Sequence, residues 1–200
     1  MHKTFVSFHH DDEEQLKDEI LRRGDAEEFI DKSVGDGDID PDLDEATIMR
    51  KIREEYLYDS TVTLVLVGWE TARRPYINSE VQASLRDTAN NKHNGLLTVI
   101  RDDLYDKIYT SGKCECGERI RVTAGALWTT YVPDLVRKNH QYSGRSCHFT
   151  QNDVYCAILK FATFLKDPSV HIDRAYDKRD DTRFEIKKRL DAQTPKIGRW

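Results

Sequence analysis

Thr61-Val62-Thr63-Leu64-Val65-Leu66-Val67 runs almost without polar interruption into Gly68-Trp69. A strand with one wet face alternates apolar and polar residues. A continuous run like this one marks a strand covered on both faces, and such strands belong to parallel sheets. Parallel neighbours need crossover connections, so the flanking sequence should supply helices between further short strands.

It does. Thr4 to Phe8 is a short apolar strand ending at His9-His10-Asp11. Asp11 to Glu14 then open a helix with acidic groups at its positive end; Leu16 and Ile20 share a face, Arg22 and Arg23 close the last turn, and Gly24 ends it. Glu28 to Asp31 reads as a second strand, and residues 33–44 as a long loop rich in turn formers. Ile48, Met49, Ile52 and Tyr56 mark a helix over residues 44–58. Pro75 suits a first helical turn, and Ile77, Val81 and Leu85 give the next helix, running to about Asn90, its buried stripe. Gly95 to Ile100 is the fourth strand. Residues 101–149 lack a clear period, with Ala126-Leu127-Trp128 as the expected fifth, edge strand. Val154, Ala157, Ile158, Phe161 and Leu165 have helical spacing behind a cap at Thr150 to Asp153, and the charged stretch after Pro168 reads as a loosely held tail with a short helix over 174–190. The expected class is α/β: a five-stranded parallel sheet of order 2-1-3-4-5 with helices on both faces. The division is a domain over 1–167 and a charged C-terminal extension over 168–200.

Charge narrows the function. The 31 basic and 36 acidic residues give a net charge of -5 and no broad basic surface, which argues against nucleic acid as a partner. No apolar run approaches the roughly 20 residues of a bilayer span, and Met1 to Phe8 lacks the pattern of a secretory signal. The expectation is a cytoplasmic protein without a membrane partner, its four cysteines held as free thiols.

In a sheet of this order, ligands collect at the carboxyl ends of strands 1 and 3, where the strand order reverses. The segments that meet there are Phe8-His9-His10-Asp11 and Gly68 to Tyr76. Glu80 lies one turn beyond Tyr76 and about 60° around the helix from Ile77, beside the apolar stripe rather than opposite it.

Thr4 to Asp11, the long loop after strand 2, strand 61–67 and Arg73-Arg74-Pro75-Tyr76-Ile77-Asn78-Ser79-Glu80 together resemble the TIR-like proteins of bacterial Thoeris anti-phage systems. The resemblance covers about residues 3–100. In that family an aromatic residue four positions before a glutamate marks the active-site helix, a pattern that falls on Tyr76 and Glu80; the family usually has Trp where this chain has Tyr76. The resemblance implies the flavodoxin-like TIR fold and cleavage of the nicotinamide–ribose bond of NAD. It also implies a cyclic ADP-ribose-type signal that activates a separate effector protein, and it leaves a homo-oligomer on activation open. NAD is then the substrate, and no cofactor is expected. Glu80 is the expected catalytic carboxylate, and Phe8, His9, Asp11, Trp69 and Tyr76 are the expected substrate contacts; Arg73 and Arg74 are phosphate candidates and His10 a proton-transfer candidate beside His9. Two other readings stay open: a non-catalytic interaction module working through the 33–44 loop and helix 44–58, and a nucleotide sensor without turnover.

Other motifs fall away. Strand 61–67 ends in Gly68-Trp69, without the aspartate a phosphoacceptor receiver needs, and neither Gly-x-Gly-x-x-Gly nor a P-loop occurs. Asp36-Gly37-Asp38-Ile39-Asp40 has Pro41 and Thr47 where a calcium loop needs glycine and glutamate. Cys114-Glu115-Cys116, His140, Cys147 and His148 are residue types that bind zinc, but the one-residue gap in the first pair is shorter than the usual spacing, so no metal is assigned.

Overall fold

A computed structural model describes residues 2–23, 29–30, 38–40, 42–88, 92–114, 116–117, 120–144 and 147–190. Gly24, residues 33–37 and 41 of the long loop, and the chain end at 191–200 lie outside the described residues.

Strands β1 (Thr4–Ser7), β2 (Phe29–Ile30), β3 (Val62–Val67), β4 (Gly95–Ile100) and β7 (Ala157–Lys160) form one sheet of order β2-β1-β3-β4-β7. All four pairings are parallel. Every residue of β1, β3 and β4 is buried, as the unbroken apolar runs require of strands covered on both faces.

The connections supply that cover. Helix α1 (His10–Arg23) follows β1; α2 (Glu45–Lys51) widens into a π-helical turn over Ile52–Tyr56; α3 (Pro75–Ser84) follows a 3-10 turn at Thr71–Arg73; and α4 (Asp102–Ile108) leaves β4. Acidic Asp11, Asp12 and Glu13 occupy the first turn of α1 and Arg22 and Arg23 its last, matching the helix dipole. Asp44 caps α2, its carboxylate accepting from the Thr47 N–H at 3.1 Å.

Strand alternation sorts the core. Val6, Leu64, Leu66, Leu97, Val99 and Leu159 pack with Ile20 of α1 on one face. Val65, Val67, Leu96, Ile100 and Ile158 pack with Ile77, Val81 and Leu104 on the other, and Phe5 joins Ile48, Met49, Ile52 and Ala83 on that second side. Ser7, two residues after Phe5, therefore faces α3.

The C-terminal half differs from the expectation. Residues 126–128 are not a strand: a hairpin of β5 (Tyr109–Lys113) and β6 (Ile120–Ala124) leads instead into α5 (Trp128–Tyr131) and α6 (Asp134–Asn139). The fifth strand is β7, inside the stretch expected to be a helix, and only α7 (Phe161–Phe164) there is helical. Cys156 to Leu159 is a short apolar run buried on both faces, where periodicity does not separate strand from helix, and the open hydrogen bonds of β4 select the strand. Thr150 to Asp153 form a turn, not a helix cap, and the Gln151 side chain accepts from the Ile158 N–H at 2.7 Å.

Helix α3 stops at Ser84 rather than near Asn90, because the Asn94 N–H returns to the Ser84 carbonyl at 2.8 Å to start β4. The expected loose tail is also firmly seated as far as it is described. Helix α8 (Pro168–Asp177) buries Ile172 and Ala175 against the sheet, and the buried Lys178 ammonium donates to the carbonyls of Gln151 (2.5 Å) and Val154 (2.8 Å). Residues 181–190 run on without helix, with Phe184, Ile186 and Leu190 packed on the α3 side of the core. Among the described residues, no helix is long and apolar enough to cross a membrane.

Candidate active site at the β1/β3 switch point

Glu80 is 1% exposed. Two elements position it: α3 carries it next to the apolar stripe of Ile77 and Val81, and β1 presents Ser7 on the facing side. The Ser7 hydroxyl donates to a Glu80 carboxylate oxygen at 2.5 Å. Tyr56, from the π-helical turn, completes this corner. Its phenol is pushed up to about 12, first by burial, then by the Asp38 charge and hydrogen bond and by the charges of Glu55 and Glu80.

Beside this pair opens a cleft of about 260 Å³ lined by Phe8, His9, His10, Asp11, Arg74, Tyr76 and Ile77. It joins the two segments that the strand order brings together. The Ser7–Glu80 pair flanks its lining in sequence, one residue before Phe8 and one helical turn after Tyr76 and Ile77, but Glu80 is not itself a lining residue. Arg74 reaches Asp11 at 3.3 Å, and His9 Nε2 lies 3.8 Å from the same carboxylate, so cation and anion face each other across the rim.

Of the expected substrate contacts, Phe8, His9, Asp11 and Tyr76 are brought together here. Phe8 is only 3% exposed, its ring against His10 (centroids 4.5 Å apart) and beneath Lys17, so its side chain belongs to the core on the α1 side. Trp69 stands apart from the cleft lining: it meets Tyr131 edge-on at 5.2 Å, lies under Lys107, and donates through Nε1 to Asp103. Arg73 turns away to Glu70.

A second carboxylate group, missed from sequence, fixes the geometry beneath. Glu13 is fully buried; it accepts from the His9 N–H (2.6 Å) and the Thr71 hydroxyl (2.7 Å). Burial and the hydrogen bond with Asp12 push it up to about 8. Burial would also raise Asp12, but the Glu13 hydrogen bond, the N–H groups of Glu70 and Trp69, and Arg101 together hold it below the usual carboxylate range. Asp12 thus ties α1 to the loop after β3, accepting from the Trp69 N–H at 2.5 Å and pairing with Arg101 at 3.0 Å. In sequence these two residues read as part of a helix-opening acidic run, with Asp11-Asp12 also resembling the acidic pair of a receiver domain, a reading rejected for want of a phosphoacceptor. Ser7 carried a weak signal, strand alternation, and Tyr56 carried none beyond its place in a helical pattern.

Among the metal-ligating candidates, His140 is held elsewhere, its Nδ1 2.8 Å from the Cys156 carbonyl oxygen. Cys114, Cys116, Cys147 and His148 converge, away from this cleft.

The sheet order, the helices on both faces and a buried carboxylate beside the switch-point cleft define a doubly wound α/β domain with its candidate site at the reversal of strand order. A family model, Thoeris protein ThsB, TIR-like domain, matches residues 5–105, from β1 through most of α4, and the chain belongs to this family. No curated protein matches the chain.

Proposed function

We propose that the protein is a TIR-family NAD-processing enzyme of anti-phage defence, cleaving the nicotinamide–ribose bond and releasing a cyclic or linear ADP-ribose-type signal for a separate effector. The observation that carries this reading is the Ser7–Glu80 pair set beside the switch-point cleft. Nicotinamide leaves NAD as a neutral base, and the ribose passes through an oxocarbenium-like state. The Glu80 carboxylate holds ribose hydroxyls and offsets the developing positive charge. Water at the anomeric carbon gives ADP-ribose; a hydroxyl or adenine nitrogen of the same molecule gives a cyclised isomer. Tyr76 stacks on a base, and Arg74 and the cleft N–H groups meet phosphate.

Glu80 is almost wholly covered, so substrate reaches its carboxylate only once the groups that cover it move, and homo-oligomerisation is the activating step in this reading. The same burial favours a second reading, in which Glu80 is a structural clamp between β1 and α3 of a non-catalytic interaction module. Product analysis of phage-infected cells separates them. The wild type should yield a new ADP-ribose isomer that Glu80→Gln does not; a Glu80→Gln chain that still triggers the effector, with no isomer in either case, establishes the module.

A further inference from the structure

We propose that Cys114, Cys116, Cys147 and His148 bind one zinc ion that locks the β5–β6 hairpin to the loop before β7. One ligand atom from each residue lies within 4.8 Å of all the others. The His148 ring nitrogen Nδ1 is 3.2 Å from Cys147 Sγ and 3.9 Å from Cys116 Sγ. Zinc–sulfur bonds of about 2.3 Å in a tetrahedron put sulfurs about 3.8 Å apart, so closing on an ion asks for only small shifts. None of the four cysteines forms a disulfide.

The one-residue gap between Cys114 and Cys116 does not keep their sulfurs apart. The chain turns tightly there, the Gly117 N–H donating to the Cys114 carbonyl at 2.9 Å. Gly117 takes φ 74°, a conformation that disfavours any residue with a side chain. The donor set is soft, three thiols and an imidazole, which selects zinc over magnesium or calcium. The three thiols lose their protons to the solvent on binding, and the imidazole binds neutral. Four protein ligands leave no open position, so the site is structural rather than catalytic.

The hairpin supplies the reason for such a tie. Beyond Tyr109 every residue of β5 is exposed, and Val122 of β6 is 52% exposed. A two-stranded ribbon exposed at these described residues is marginal on its own. The cluster joins its turn to residues 147–148, across a stretch that holds β6, α5 and α6. All four ligands lie beyond the stretch matched by the family model, and none touches the Glu80 cleft.

Elemental analysis of the untagged full chain, purified under reducing conditions, tests this. The expected result is about one zinc per chain, retained by Cys156→Ala, whose thiol meets the Thr98 hydroxyl of β4 at 3.3 Å, and reduced at least tenfold in the Cys116→Ser/Cys147→Ser double variant. Should the double variant fail to fold, the wild-type chain loaded with cobalt(II) gives the answer, because a thiolate-rich tetrahedral site shows intense visible bands and thiolate-to-metal charge transfer. A metal-free native chain, a disulfide among the three cysteines, or a weak octahedral cobalt spectrum would overturn the proposal.

Discussion

Glu13 and Glu80 are both shut away from water at the same end of the sheet, and their surroundings treat them differently. Glu13 faces a second carboxylate, Asp12, and is pushed up to about 8 by burial and by that hydrogen bond. Its folded value lies above the ordinary 4.5, so the folded state binds this proton more tightly. The stabilisation is complete below about 4.5 and is lost as pH rises through about 8. Glu13→Gln keeps a donor towards Asp12 and removes the titration. Denaturant unfolding across that window should show the wild type losing stability relative to the variant, and parallel profiles would contradict it. Burial lowers His140 and His171, which slope the other way, but equally in both chains. Tyr76 offers a second test at this scale. If it stacks on a base of NAD, Tyr76→Ala should raise KM more than it lowers kcat, whereas Tyr76→Trp, the residue usual in the family, should retain activity. A Tyr76→Ala chain with unchanged KM would remove Tyr76 from the binding surface.

Among the elements, legibility followed the hydrogen-bonding environment. The four strands and three helices up to β4 were readable because acidic openings, Pro75 and continuous apolar runs agreed with one another. The Cys156 to Leu159 run failed because its helical spacing was incidental: a missing partner for β4, which no local pattern reveals, decided it. Helix α8 looked like a charged tail since only Ile172 and Ala175 of its ten residues are buried. The position of Tyr76 and Glu80 near the switch point was legible from the strand order and helix spacing, whereas Ser7, Tyr56 and Glu13 needed the packed structure, because their partners lie on other elements. The seating of α8 gives predictions of its own. Ile172→Ala should cost about 2–5 kcal/mol. Lys178→Met strands the Gln151 and Val154 carbonyls, at about 1–3 kcal/mol for each group left unsatisfied. Thermal unfolding checks both, and wild-type stability in either variant would show that α8 is not part of the core. Gly95 marks the same contact, since a Cβ there would collide with the Ala175 carbonyl.

At the scale of the whole molecule, the sheet order places one cleft where β1 and β3 diverge, and the family match from β1 into α4 spans every residue that builds it. The β5–β6 hairpin, the four-ligand cluster and α8 lie beyond the matched residues. The proposed function requires this frame to turn over NAD through Glu80. The most direct measurement is nicotinamide released in phage-infected cells carrying the wild type or Glu80→Gln, with matched expression and melting temperatures showing that both fold. The wild type should release nicotinamide and the variant roughly 10²–10³-fold less, the scale at which a single transition-state contact is lost. Equal release from the two chains, or none above empty cells from either while defence persists, would contradict the proposed function.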